Sequence, residues 1–179
     1  MHSADILTDA FDRIRAVVHE SVDGLGEDAL NHRLDPAANS IAWLVWHLTR
    51  VQDEHVAELA ATDSLWTGRG WYERFDLPVH RHATGYGDTP AEVALVRAPA
   101  ELLTGYHDAV HAHTVGFVGA LTDQDLSTVV DTDWDPPVTM GVRLVSVIGD
   151  DLQHVGQAAF IRGLLSRSMD RRTDQAAAG

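Results

Sequence analysis

Near the end of the chain an acid and an imidazole share one stripe of an apolar helix. The segment RLVSVIGDDLQHVGQAAFIRGLL begins at Arg143. Its row Val147, Asp150, His154, Ala158, Ile161, Leu165 advances by three or four residues at each step, which is one face of a helix. A carboxylate and an imidazole in such a row need partners, because burying either one unpaired is costly. A metal ion would serve both. So would a hydrogen bond between the two at i and i+4, and spacing alone favours neither.

A third donor is available. His47 closes the all-apolar run Ile41-Ala-Trp-Leu-Val-Trp46. Helix bundles build metal sites from inward side chains on facing helices. Two imidazoles and a carboxylate leave at least one coordination position open, the catalytic pattern for Zn²⁺, whereas structural zinc usually takes four protein ligands. Ni²⁺, Fe²⁺ and Mn²⁺ accept the same donors. Asp151, three residues before His154, is a fallback ligand.

Four long helices are expected to position these groups. The first runs from Ser3, its cap, to Asp23, with Leu7, Phe11, Ile14, Val18 and Val22 on one face. A connector with a short helical turn follows, and Pro36 breaks it. The second helix is capped by Asn39 or Ser40 and ends near Ala61. It turns amphipathic after His47, with Arg50, Gln52, Asp53, Glu54 and Glu58. The third starts at the Thr89-Pro-Ala-Glu92 capping box and extends to about Ala120, with Pro99 kinking or dividing it. Thr122 starts a short turn, and residues 127–138 are extended or looped. Thr139 caps the fourth helix, which ends near Ser166. The pattern predicts an all-α four-helix bundle over residues 1–166, with no sheet, and a flexible tail over 167–179.

Between the second and third helices lies TDSLWTGRGWYERFDLPVHRHATGYGD, residues 62–88. So long a segment without periodicity usually has a task. Its aromatics predict a folded flap. Trp71 and Tyr72, with Arg69 and Arg74, are candidates for a lid and anion anchor; packed aromatics beside surface arginines are the alternative. His107 lies on the core stripe of the third helix. It is a candidate to reach the cavity, or a hydrogen-bonded core histidine. His55, two turns past His47, lies in the more exposed half of its helix.

Composition removes several function classes. The 179 residues suit one domain, and 45% are hydrophobic. The net charge is −14, and all 13 basic residues are Arg. That argues against nucleic-acid binding, and the missing Lys excludes a P-loop or a Schiff base. There is no cysteine, so neither a thiolate ligand nor a cysteine nucleophile exists. With no signal-peptide pattern and no long uncharged run, a cytoplasmic protein away from membranes is expected. The Ala, Val, Gly, Asp and Arg usage suggests a GC-rich, actinobacterial genome.

The segments NSIAWLVWHLTRVQDEH and GDDLQHVGQAAFIRG resemble the two ligand segments of the DinB-like superfamily. GWYERFDLP, GYGDTPAEVALVR and the helix holding YHDAVHAHT resemble its actinobacterial branch of mycothiol S-transferase-like proteins, related to the N-terminal domain of mycothiol-dependent maleylpyruvate isomerase. The resemblance covers Asp5 to about Leu165. It implies a DinB-like bundle with His47, Asp150 and His154 as metal ligands, zinc first among the ions. It also implies mycothiol as a thiol cosubstrate joined to a small electrophile, in a detoxifying monomer or homodimer. Arg69, Trp71, Tyr72 and His107 would hold the cosubstrate. Many relatives carry His, and the isomerase type Glu, where this chain has the shorter Asp150; Gln157 stands at the motif's usual final His or Gln. Two other readings remain open here: metal-assisted hydrolysis, and a helical stress or binding protein whose Asp150–His154 pair is structural.

Overall fold

The computed structural model describes residues 2–177, with side chains through Arg167. Its long helices are α1 (Ser3–Val22), α3 (Ile41–Ala60), α7 (Ala100–Val118) and α9 (Met140–Ala177). Short helices α2 (Glu27–Leu30), α4 (Leu65–Gly68), α5 (Trp71–Phe75), α6 (Pro90–Val93) and α8 (Asp123–Leu126) lie in the connections. Each of α1 and α3 packs along both α7 and α9, so the long helices form the expected four-helix bundle. Phe11, Ile14, Leu44, Leu48, Leu103 and Leu144 meet in its core. No helix among the described residues is long and apolar enough to cross a membrane.

Local chemistry explains the helix ends. Ser40 caps α3, its Oγ accepting from the Trp43 N–H at 3.1 Å. Ala61, in the left-handed region at φ 52°, ends that helix. Helix α1 is capped by His2 and not Ser3; the His2 N–H donates to Asp5 at 2.8 Å. The expected third helix is divided, not kinked. The Thr89–Glu92 capping box starts α6, and α7 begins after Pro99, which lacks the N–H a continuous helix would need. Thr139 starts α9, its Oγ1 accepting from the Val142 N–H at 3.3 Å.

Three expectations are corrected. A small antiparallel ribbon exists where no sheet was expected: β1 (Val129–Asp131) pairs with β2 (Val138–Thr139). The helical backbone of α9 continues past Ser166 to Ala177, and the last two residues of the expected tail lie outside the described residues. The second half of α3 is not a solvated face either. Arg50, Gln52 and Asp53 are all buried: the 62–88 segment folds over Arg50 and Asp53, and Gln52 donates to Thr114 on α7 at 2.7 Å.

That covering segment is held by paired charge. The Arg50 guanidinium donates to the Ala83 carbonyl at 3.0 Å and to the Tyr106 hydroxyl at 3.2 Å, and lies over Trp66 at 5.0 Å. Asp53 accepts from the Leu65 and Trp66 N–H groups at 2.9 and 2.8 Å and from the Tyr106 hydroxyl at 2.7 Å. These partners sit in the segment or on α7, so the network clamps the flap to the bundle. Trp66, Trp71 and Phe75 pack around Tyr106.

Candidate metal centre

The buried row of α9 is rotated from the expected stripe. Leu144, Val147, Asp151, Val155 and Ala158 face the core, which leaves Asp150 and His154 half-buried at the edge facing α3. There they meet His47. One donor atom from each of the three lies within 4.8 Å of the others, and Nε2 of His154 stands 3.6 Å from Oδ1 of Asp150. A tetrahedral ion about 2.1 Å from each donor requires separations of about 3.4 Å. Side-chain movement of about an ångström therefore brings the set to bonding distance.

Each imidazole is oriented by a second contact. His47 Nδ1 donates to the Thr84 carbonyl at 2.5 Å, which leaves the Nε2 lone pair free. The ring stacks on Trp43, with centroids 4.6 Å apart and planes 11° apart. Trp43 is itself fixed by donating from Nε1 to Asp88 at 3.0 Å. On α9, His154 Nδ1 lies 3.4 Å from Gln157 Oε1, a carbonyl that can only accept, so Nε2 of the neutral ring is also free. A ring whose other nitrogen donates to a carbonyl is the usual arrangement of a metal-binding histidine.

Electrostatics fit a cation. Burial holds His47 below the usual imidazole range, so its ring is neutral at pH 7. The His154 imidazole, its Nε2 3.6 Å from Asp150 Oδ1, holds Asp150 below the usual carboxylate range, and Asp150 in turn raises His154. Asp150 Oδ2 is buried without a hydrogen-bond partner, an acceptor left open. Asp151, the fallback ligand, points away into the core. Both its oxygens are buried and unpartnered, and burial raises its carboxyl well above the usual range.

The centre opens onto a cleft of about 420 Å³, lined by Glu54, His55, Thr84, Tyr86 and Ser146 among others. Gly85 closes one wall at φ +90°. A Cβ there would sit 2.7 Å from His47 Nδ1. His55 accepts from Arg143 Nη1 at 3.1 Å, and burial, then Arg143, lowers its pKa.

The other candidates lie elsewhere. Arg69 and Trp71 line a separate cavity of about 540 Å³ with Ser64 and His113. Trp71 packs on Tyr106, and Arg74 covers its face at 4.6 Å. Tyr72 meets Trp66 edge to face and carries Arg81 over its ring at 5.4 Å. None of Arg69, Trp71 or Tyr72 lines the cleft beside His47. His107 is fully buried in the core, its Nδ1 bonded to Thr49 Oγ1 at 3.0 Å, and burial lowers its pKa to about 3. Sequence reasoning discounted His55 and missed Glu54 and Ser146. Their spacing held the signal, since Glu54 and His55 follow His47 by seven and eight residues, and Ser146 precedes Asp150 by four.

Comparison with curated proteins finds no match. A solved structure of a conserved protein from Enterococcus faecalis is similar, with 33% sequence identity and a TM-score of 0.85, over 90% of this chain and 96% of that one. A family profile described as mycothiol-S-transferase matches residues 6–166. With the fold shared and nearly the whole bundle matched, the chain belongs to the mycothiol-S-transferase family.

Proposed function

We propose that this protein is a divalent-metal-dependent transferase that joins the sulfur of a small thiol, mycothiol foremost, to a small electrophile. His47, Asp150 and His154 hold the ion, with Zn²⁺ the best match to two imidazoles and a carboxylate. The observation that carries the reading is the convergence of three donors within 4.8 Å, two of which, His47 and Asp150, line a cleft, with the spare imidazole nitrogens already engaged. The ion supplies a positive charge beside the sulfur, which lowers the thiol pKa toward neutral pH.

The chain's own residues orient and shield. The Thr84 and Gln157 carbonyls keep both imidazole lone pairs turned to the site. Glu54 lines the cleft and offers a carboxylate oxygen to take up the thiol proton. The new S–C bond forms as the electrophile loses its leaving group or, in an addition, as its carbanion takes up a proton. With no cysteine in the chain, no internal thiol competes with the cosubstrate. Such conjugation suits detoxification in the cytoplasm of a mycothiol-using actinobacterium.

The test is metal analysis of untagged protein, followed by conjugation of mycothiol to a chlorobimane dye. One tightly held ion per chain is expected, with turnover that needs both the ion and the thiol. Protein that neither holds nor takes up a divalent ion would overturn the reading. Turnover unchanged without thiol would replace it with hydrolysis.

A further inference from the structure

The cleft beside the three donors does not stop at His55. A second hollow of about 430 Å³ shares His55 and Ser146 with it and continues over Arg143 to Trp134. We propose that this hollow is a subsite for a neutral, hydroxyl-bearing ring, the sugar-like part of the thiol cosubstrate whose sulfur sits at the His47 end. The inference rests on the transferase reading above.

The walls argue for that chemistry. Trp134, Val138 and Val142 give the lining its apolar part, and Asp131, Arg143 and Ser146 its polar part. A pyranose or cyclitol has the matching form, with C–H groups that stack on an aromatic face and hydroxyls around its rim. Charge excludes the main rival. Arg143 is already paired with Asp131 at 2.8 Å and lies 3.7 Å from Glu58. It has no unmatched positive charge for a phosphate or a carboxylate, but its remaining N–H groups and the Asp131 oxygens can bond hydroxyls. Because a guanidinium only donates, His55 Nδ1 is the acceptor of its bond to Arg143, and the neutral ring carries its hydrogen on Nε2. His55 thus adds a donor where the two hollows join.

The ribbon explains how Trp134 is held there. Pairing of Asp131 with Val138 brings the strand ends together, and Trp134 sits in the loop between them, 67% exposed. The other four tryptophans, Trp43, Trp46, Trp66 and Trp71, are buried. Quenching of fluorescence by acrylamide therefore reads Trp134 almost alone.

That selectivity gives the experiment. Quenching is measured with S-methyl mycothiol, whose blocked sulfur cannot ionise, and with N-acetylcysteine, which has no ring. S-methyl mycothiol is expected to protect Trp134, in metal-loaded and in chelated protein, while N-acetylcysteine does not. Calorimetry should show Trp134→Ala weakening S-methyl mycothiol binding about tenfold, with N-acetylcysteine unchanged. Trp134 is exposed, so that variant should fold. Asp131→Asn, which keeps the shape, should weaken the ringed ligand and spare the other. Protection in a protein that neither holds nor takes up a divalent ion would keep the subsite and sink the transferase reading. A metal-loaded protein that binds S-methyl mycothiol without protecting Trp134, or equally well in Trp134→Ala, would overturn the subsite.

Discussion

Gly85→Ala separates the cost of a backbone from the cost of a displaced ligand. At φ +90° an L-residue is strained, by about 1–3 kcal/mol. The new Cβ would also sit 2.7 Å from His47 Nδ1 and 3.1 Å from the Trp43 and Trp46 rings. The indoles are packed in the core, so the imidazole must move, and it moves off the Thr84 carbonyl. Losing the group that orients a metal-binding histidine costs about 10–100-fold in metal affinity, or about 1.4–2.7 kcal/mol. Gly87→Ala is the control: its φ is +77°, and an added Cβ would meet nothing within 4 Å. Urea melts of metal-stripped protein should show both variants destabilised. Calorimetric Zn²⁺ titration should show only Gly85→Ala binding about 10–100-fold more weakly. Wild-type affinity in Gly85→Ala, or an equal loss in Gly87→Ala, would refute the role given to the Thr84 contact.

Three further outcomes are expected. His47→Ala and His154→Ala should each lose stoichiometric metal while His55→Ala keeps it, as read by metal analysis after gel filtration; full occupancy in either of the first two would remove that residue from the ligand set. Acid should destabilise the fold through His107, whose pKa of about 3 in the folded chain compares with about 6.5 unfolded. Between those values the unfolded chain binds the extra proton, so stability is complete above pH 6.5 and falls as pH drops, by about 2.7 kcal/mol at pH 4.5. His107→Gln should lose correspondingly less between pH 7 and 4.5 in urea melts, and an equal loss would show that His107 is not held neutral. Chelation of protein previously kept at about 100 times its metal Kd should lower stability by about 2.7 kcal/mol, a fall in Tm of about 5–10 °C; an unchanged Tm would mean the ion does not favour the folded state.

The long helices were legible because their signals are local. Ser40, Thr89 and Thr139 cap what their neighbours' spacing announces, and Pro99 marks a boundary by its own chemistry. His47, Asp150 and His154 stood out as polar groups among apolar neighbours, and the fold brings all three together. What escaped depends on parts distant in sequence. Arg50 and Asp53 look solvated until the 62–88 segment covers them with carbonyl and N–H groups. The same clamp turns Arg69 and Trp71 toward α7, away from the cleft they were expected to cover. Asp150 and Asp151 are equivalent by type. Only the rotation of α9 against α3 decides which one faces the site.

The donors lie far apart along the chain, with about a hundred residues between His47 and the α9 pair. An unfolded chain could bind an ion with Asp150 and His154 alone, which are neighbours on one helical turn. To recruit His47 it would have to close that loop, at an entropic cost of about 4.7 kcal/mol. In the proposed site His47 would thus be the ligand that makes an ion discriminate folded from unfolded chain. During synthesis α9 emerges after the flap and α7. A three-donor site cannot exist before then, so tight metal uptake would pass over a chain truncated before α9.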